Sequence, residues 1–146
     1  MLARPEQMTD AQEQMKAGVA LWPIETEDLW CRDSGPTFVK NARGELAVAR
    51  IAFNGWGRKQ PHGRDARIAA AVAKRLNLPL LETGLVGEQG GIEHDGAGTL
   101  LAHASCWVNP NRNPGKAAAV GNAAANPGPA SRRLPISLGV PVDIVA

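Results

Sequence analysis

Residues 37–53, TFVKNARGELAVARIAF, and residues 65–76, DARIAAAVAKRL, decide the fold. In the first stretch two runs rich in β-branched and aromatic side chains flank Asn41-Ala42-Arg43-Gly44, a segment with hairpin-turn chemistry. Strands are therefore predicted over Thr37–Lys40 and Glu45–Phe53. In the second stretch Ile68, Val72 and Leu76 recur at i, i+4 and i+8 while Arg67, Lys74 and Arg75 take the other side, which predicts an amphipathic helix. Leu78–Leu81 reads as the next strand. Strand, strand, helix, strand is the order of an α/β module of roughly 60 residues.

Outward from this module, Pro5–Lys16 reads as a short helix with Met8, Ala11 and Met15 on one side and Gly18 as its stop. Val19–Ile24 is a short apolar run before the acidic stretch Glu25, Glu27 and Asp28. Phe53–Gly63 reads as a loop, Gly84–Gly98 as a Gly-rich segment, and Thr99–Ala102 as a further short strand. The chain divides into a domain over residues 1–114 and a tail over 115–146. That tail holds 8 Ala, 4 Pro and 4 Gly in 32 residues, with Asp143 its one acidic group. Such a composition, without an amphipathic period, is expected of a disordered extension or of sequence foreign to the fold, as a shifted reading frame would give.

The net charge of the 146 residues is +2 and the whole surplus lies in the tail, which argues against a dedicated nucleic-acid binder. Two cysteines, Cys31 and Cys106, lack metal-ligand spacing and suit a reducing cytoplasm better than a disulfide framework. No apolar run approaches membrane length, so no membrane partner is expected.

Three clusters can carry chemistry. In Trp30-Cys31-Arg32-Asp33-Ser34-Gly35-Pro36, placed near the end of a strand, Asp33 alone reads as the cap of a tight turn. In Phe53-Asn54-Gly55-Trp56-Gly57-Arg58-Lys59, two glycines bracket a Trp that either walls a pocket for a flat or cationic ligand or sits half-buried in a turn. In Glu88-Gln89-Gly90-Gly91-Ile92-Glu93-His94-Asp95-Gly96-Ala97-Gly98, three carboxylates interleave with glycine and suit a cation. A metal fits less well, because His94 lacks a partner His at ligand spacing, and His62 and His103 have no matching acidic set. Gly90, Gly91 and Gly98 fail the dinucleotide fingerprint because no helix follows them. No metal and no cofactor are expected.

Taken together, these clusters and Asn109-Pro110-Asn111-Arg112-Asn113-Pro114 resemble, in order and spacing, the agmatine deiminases and the related bacterial (Porphyromonas-type) peptidylarginine deiminases. The resemblance runs over roughly Val19 to Pro114. It implies a pentein fold, a five-bladed propeller of ββαβ modules, of which about two would be present here. It implies hydrolysis of agmatine to N-carbamoylputrescine and ammonia, a step of putrescine biosynthesis, through a thiouronium on a cysteine. By the same resemblance Asp33 matches a carboxylate that grips the substrate guanidinium, and Trp30 an aromatic lining the substrate channel. Glu88 and Glu93 match acidic positions of a Glu-Gly-Gly segment in which Gln89 replaces a glycine, and Trp56 completes the expected substrate-binding set. Cys31 is expected to be a packing residue and Cys106 a buried structural thiol. The family's nucleophilic Cys and its His-Val-Asp motif are expected beyond this chain, so residues 1–146 are expected to be an N-terminal fragment without turnover, from a homo-oligomeric parent. Two other readings stay open: a non-catalytic binder of guanidino or amine ligands, and activity of the parent on peptidyl-arginine.

Overall fold

The computed structural model of the chain describes residues 1–41, 43–94, 100–114 and 142–144, and its architecture is mixed α/β. The chain opens with β1 (Leu2–Ala3), a 3-10 turn at Pro5–Gln7 leading into α1 (Met8–Gln14), and β2 (Trp22–Pro23), which pairs parallel with β1. Pro5 sits where a helix start tolerates it, its missing N–H having no intrahelical partner to lose. After a helical turn, α2 (Cys31–Ser34), come β3 (Thr37–Asn41) and β4 (Leu46–Ala52), the antiparallel hairpin that the turn chemistry predicts.

A short turn, α3 (Gly55–Arg58), and a 3-10 segment (Asp65–Arg67) lead into α4 (Ile68–Leu76), and then β5 (Leu80–Val86) lies parallel to β4. α4 buries Ile68, Ala69, Val72 and Ala73. Two positions per turn on one side make the apolar stripe, but its predicted last member, Leu76, is 40% exposed. Val48 meets Ala69 and Ala73 in one cluster, where the small alanines let helix and sheet approach closely. Ile24, Ile68 and Val72 form a second cluster, with Leu2 and Trp22 packed against it, so the N-terminal strand pair packs onto the apolar stripe of α4.

β5 starts two residues later than predicted and runs on to Val86. The reason is the helix end: Asn77 is left-handed (φ 53°) and Leu78 N–H donates to Ala73 O at 2.9 Å, which spends that residue on the cap. Gly84 (φ 68°) survives inside β5 because the β4–β5 register slips between Arg50 and Ala52. The segment read as a Gly-rich loop thus contains the end of β5, a 3-10 turn at Gln89–Gly91 and β6 (Ile92–His94), which pairs antiparallel with β7 (Leu100–Ala102). α5 (Ala104–Trp107) follows, and Trp107, Leu85 and Ile92 make a third cluster. β8 (Val142–Ile144) pairs antiparallel with β3, giving the sheet order β5-β4-β3-β8. The rest of the tail and Asp95–Thr99 lie outside the described residues.

Candidate binding site

Asp33 stands in the helical turn α2, not at a strand end as the sequence suggests. Trp30 O accepts from Asp33 N at 3.0 Å and from Ser34 N at 3.3 Å, and Gly35-Pro36 stops the turn after one round. The approach to α2 is held from α4's entry. Asp65, 3% exposed, accepts from the backbone N–H of Glu27 (2.8 Å) and Asp28 (3.2 Å), while Glu27 accepts from Arg64 N at 3.0 Å. A buried carboxylate bonded to two amides is satisfied, so Asp65 is an anchor for the loop that delivers Asp33.

The carboxylate of Asp33 is fixed on two sides. Trp56 Nε1 donates to Oδ2 at 2.9 Å. On the other side lies the Gln89–Gly91 turn, where a Cβ at Gly90 would overlap Oδ1, so any larger residue there must push the carboxylate aside. Trp56 is delivered by a strained backbone: Gly55, Trp56, Gly57 and Arg58 all have positive φ (63°, 55°, 85° and 67°). For Trp56 and Arg58 that conformation costs roughly 1–2 kcal/mol each. It is stabilised by Asn54, whose Oδ1 accepts from Gly57 N (2.9 Å) and whose Nδ2 donates to Asn111 O (2.8 Å), and by Phe53, edge-on to the Trp56 ring at 5.0 Å.

Glu88 comes from the end of β5 on the same side. Its Oε1 pairs with Arg112 Nη2 at 2.9 Å, and both side chains are largely buried, 12% and 10% exposed. Its Oε2 is buried with no hydrogen-bond partner among the described residues. The Glu88 carboxyl titrates above its ordinary value because burial penalises the charge; Arg112 pulls it back down and Asp33 pushes it further up. Asp33 and Glu88 stand at the same turn, since Asp33 Oδ1 abuts Gly90, two residues beyond Glu88.

The remaining candidates are less engaged. Glu93 is exposed and pairs loosely with Arg32 at 3.4 Å, a contact screened by solvent. Trp30 is 55% exposed. Cys31 is exposed, which corrects its expected packing role, and its thiol is pushed up by desolvation and then by Asp65. Cys106 packs part-buried against the Trp107 cluster. His62 and His103 are bonded locally, to Gln60 O (2.9 Å) and Ser105 Oγ (2.8 Å). Among the described residues no three His, Cys, Asp or Glu side chains are grouped to hold a metal ion, and no helix is long and apolar enough to cross a membrane.

Residues 109–114 supply the support that sequence reading left without a role. Asn113, 1% exposed, donates to Val86 O (2.8 Å) and Trp107 O (2.9 Å) and accepts from Val86 N (3.0 Å). Trp107 Nε1 donates to Gly91 O at 3.1 Å. Arg112, besides holding Glu88, donates through Nη1 to Cys106 O. The alternation of Asn with Pro and Arg was the available signal, since such residues bond backbone where no ladder can. The outcome is two carboxylates at the Gln89–Gly91 turn, each with one oxygen held by a protein donor, and carboxylates suit a planar cation with forked N–H donors.

The sequence profile described as "Porphyromonas-type peptidyl-arginine deiminase" matches residues 1–123. The chain is 42% identical over 118 residues to the "Putative agmatine deiminase" of Streptomyces coelicolor, covering 79% of this chain and 34% of that protein. With the protein of the same name from Pectobacterium atrosepticum it shares 40% over 112 residues, covering 73% and 30%. The chain therefore spans about a third of the length of these relatives. Among solved structures, the agmatine deiminase of Enterococcus faecalis superposes with a TM-score of 0.72 at 28% identity, over 77% of this chain and 33% of that one.

Proposed function

Because the chain belongs to the Porphyromonas-type peptidyl-arginine deiminase family, which includes the agmatine deiminases, we propose that residues 1–114 carry the guanidinium-gripping part of an agmatine-hydrolysing enzyme of pentein fold. The observation that carries this reading is the pair Asp33 and Glu88, two carboxylates at one turn, with the buried Oε2 of Glu88 unbonded among the described residues. An unpaired buried carboxylate oxygen is costly, on the order of 1–3 kcal/mol or more. A guanidinium supplies the missing donors and the compensating charge together. Trp56 acts by orienting Asp33, and Trp30 and Glu93 border the entrance.

In the reaction we assign to the whole enzyme, a thiolate adds to the guanidinium carbon, ammonia leaves, and water releases N-carbamoylputrescine. A nucleophilic thiol needs a lowered pKa. Cys31 is pushed the other way and Cys106 belongs to the Trp107 cluster. The chain covers about a third of its relatives' length, and we assign the thiolate and its acid/base histidine to the part of such an enzyme that it does not cover, the chain alone being a binder without turnover. Free thiols at both cysteines fit a cytoplasmic setting.

Calorimetric titration of the 146-residue chain with agmatine tests this. Binding is expected, and Asp33→Asn should weaken it by about 2 kcal/mol or more, roughly 30-fold, the usual penalty for losing one partner of a buried charge pair. Ammonia release should stay at background. No binding, or an Asp33→Asn variant that binds as tightly, would contradict the proposal.

A further inference from the structure

Arg112 is the most buried arginine with an ion pair in the described structure, and its guanidinium is shared between two elements. Nη2 meets Glu88 Oε1 at 2.9 Å and Nη1 meets Cys106 O. The arginine thus bridges the end of β5 to the end of α5, across the cluster of Leu85, Ile92 and Trp107. Its own segment is locked independently, through Asn113 to Val86 and Trp107 and through Asn109, which donates to Ser105 O (3.1 Å) and Cys106 O (3.2 Å). A guanidinium held that firmly fixes the carboxylate it grips.

We infer that Arg112 is a positioning residue: by occupying Oε1 of Glu88 it aims Oε2 at the ligand and keeps Glu88 ionised beside Asp33. The inference rests on the guanidinium-binding reading for its ligand, but its physical core does not. Two carboxylates in each other's field in a partly dry setting favour protonation of one of them. A neutral Glu88 would have one carboxyl oxygen turned into a donor and could not accept a forked cation on both carboxylates. Arg112 opposes that through its contact with Oε1, leaving Oε2 without a partner among the described residues. Among the described residues the charged groups that act on Glu88 are Arg112, which lowers its titration, and Asp33, which raises it, against the background of burial. Arginine suits the task because its charge does not titrate in the working range and its fork reaches Glu88 and the Cys106 carbonyl at once.

Carbon-13 carboxyl NMR on glutamate-labelled chain follows Glu88 directly, with its signal assigned by its loss in Glu88→Gln. In Arg112→Gln the Glu88 midpoint is expected to rise by about one pH unit or more, since an opposite charge at contact is worth about that much. The fall of agmatine affinity on acidification should move up in pH together with the Glu88 midpoint, and affinity should recover once the pH is raised above it. Arg112→Lys keeps the charge, so its Glu88 midpoint should stay near the wild-type value. An unmoved midpoint in folded Arg112→Gln, or a midpoint in Arg112→Lys raised as far as in Arg112→Gln, overturns the inference. If Arg112→Gln does not fold, the Arg112→Lys midpoint decides alone, unmoved supporting the role and raised by a unit refuting it. Absence of agmatine binding to the wild-type chain would instead remove the guanidinium reading, while the titration still reports on Arg112.

Discussion

Two regions of this molecule are held together by different means. The layer of α4 on β3–β5 is joined by apolar contact: Val48 and Ile68 are at most 1% exposed and touch other hydrocarbon. The layer that carries Glu88 and backs Asp33 has its own apolar cluster, Leu85, Ile92 and Trp107, and adds polar side chains reaching backbone, Asn113 to Val86 and Trp107, Trp107 to Gly91, Arg112 to Cys106. Hydrophobic packing is tolerant of direction, whereas a hydrogen bond fixes both distance and angle. Apolar packing therefore supplies stability in both layers, and the polar bonds of the second supply the placement that its two carboxylates need.

Substitutions can break or sharpen this contrast. The largest effect expected is from Ile68→Ala, which should lower unfolding free energy by about 2–5 kcal/mol in urea titration, with agmatine affinity unchanged in the fraction that stays folded. Asn113→Ala should follow at about 2–4 kcal/mol, since three backbone groups lose their partner at a buried position, and should weaken agmatine binding as well. Gly90→Ala should cost about 1–3 kcal/mol of stability while displacing Asp33, so that affinity falls by more than tenfold. Arg32→Ala should sit within about 0.5 kcal/mol of wild type, because its pairing with Glu93 is open to solvent. A Gly90→Ala protein that binds agmatine normally would erase the distinction between the two layers.

The pH dependence carries a definite sign. Glu88 titrates above its ordinary value of 4.5, because burial dominates the pull of Arg112. Agmatine binding requires the carboxylate, so affinity is full above the raised midpoint and is lost as pH falls through it, earlier than an ordinary glutamate would impose. Calorimetry at stepped pH on the wild-type chain and on Arg112→Lys reads this directly.

The apolar layer was legible in the sequence because periodicity reports burial: the hairpin and α4 lie where the repeat of Ile68 and Val72 and the turn at Asn41–Gly44 put them. The site was legible only in part. Asp33 and Glu88 stand out as acidic residues in Gly-rich contexts, but α2 is a single helical turn set by a carbonyl at Trp30, too short for any period. The positive φ of Trp56 could not be read from its neighbours, since it depends on Asn54 reaching Asn111, 57 positions along the chain. Cys31 shows the converse: the family resemblance suggested packing, yet the residue is exposed on its turn.

The most direct measurement compares agmatine with N-carbamoylputrescine, which keeps the amine tail and replaces the cationic head by a neutral urea, in calorimetric titrations of the wild-type, Asp33→Asn and Glu88→Gln chains at neutral pH. Recognition of the guanidinium by the two carboxylates predicts that agmatine binds at least tenfold more tightly than the urea and that either substitution removes the preference. Equal affinity for both compounds in the wild-type chain would contradict it.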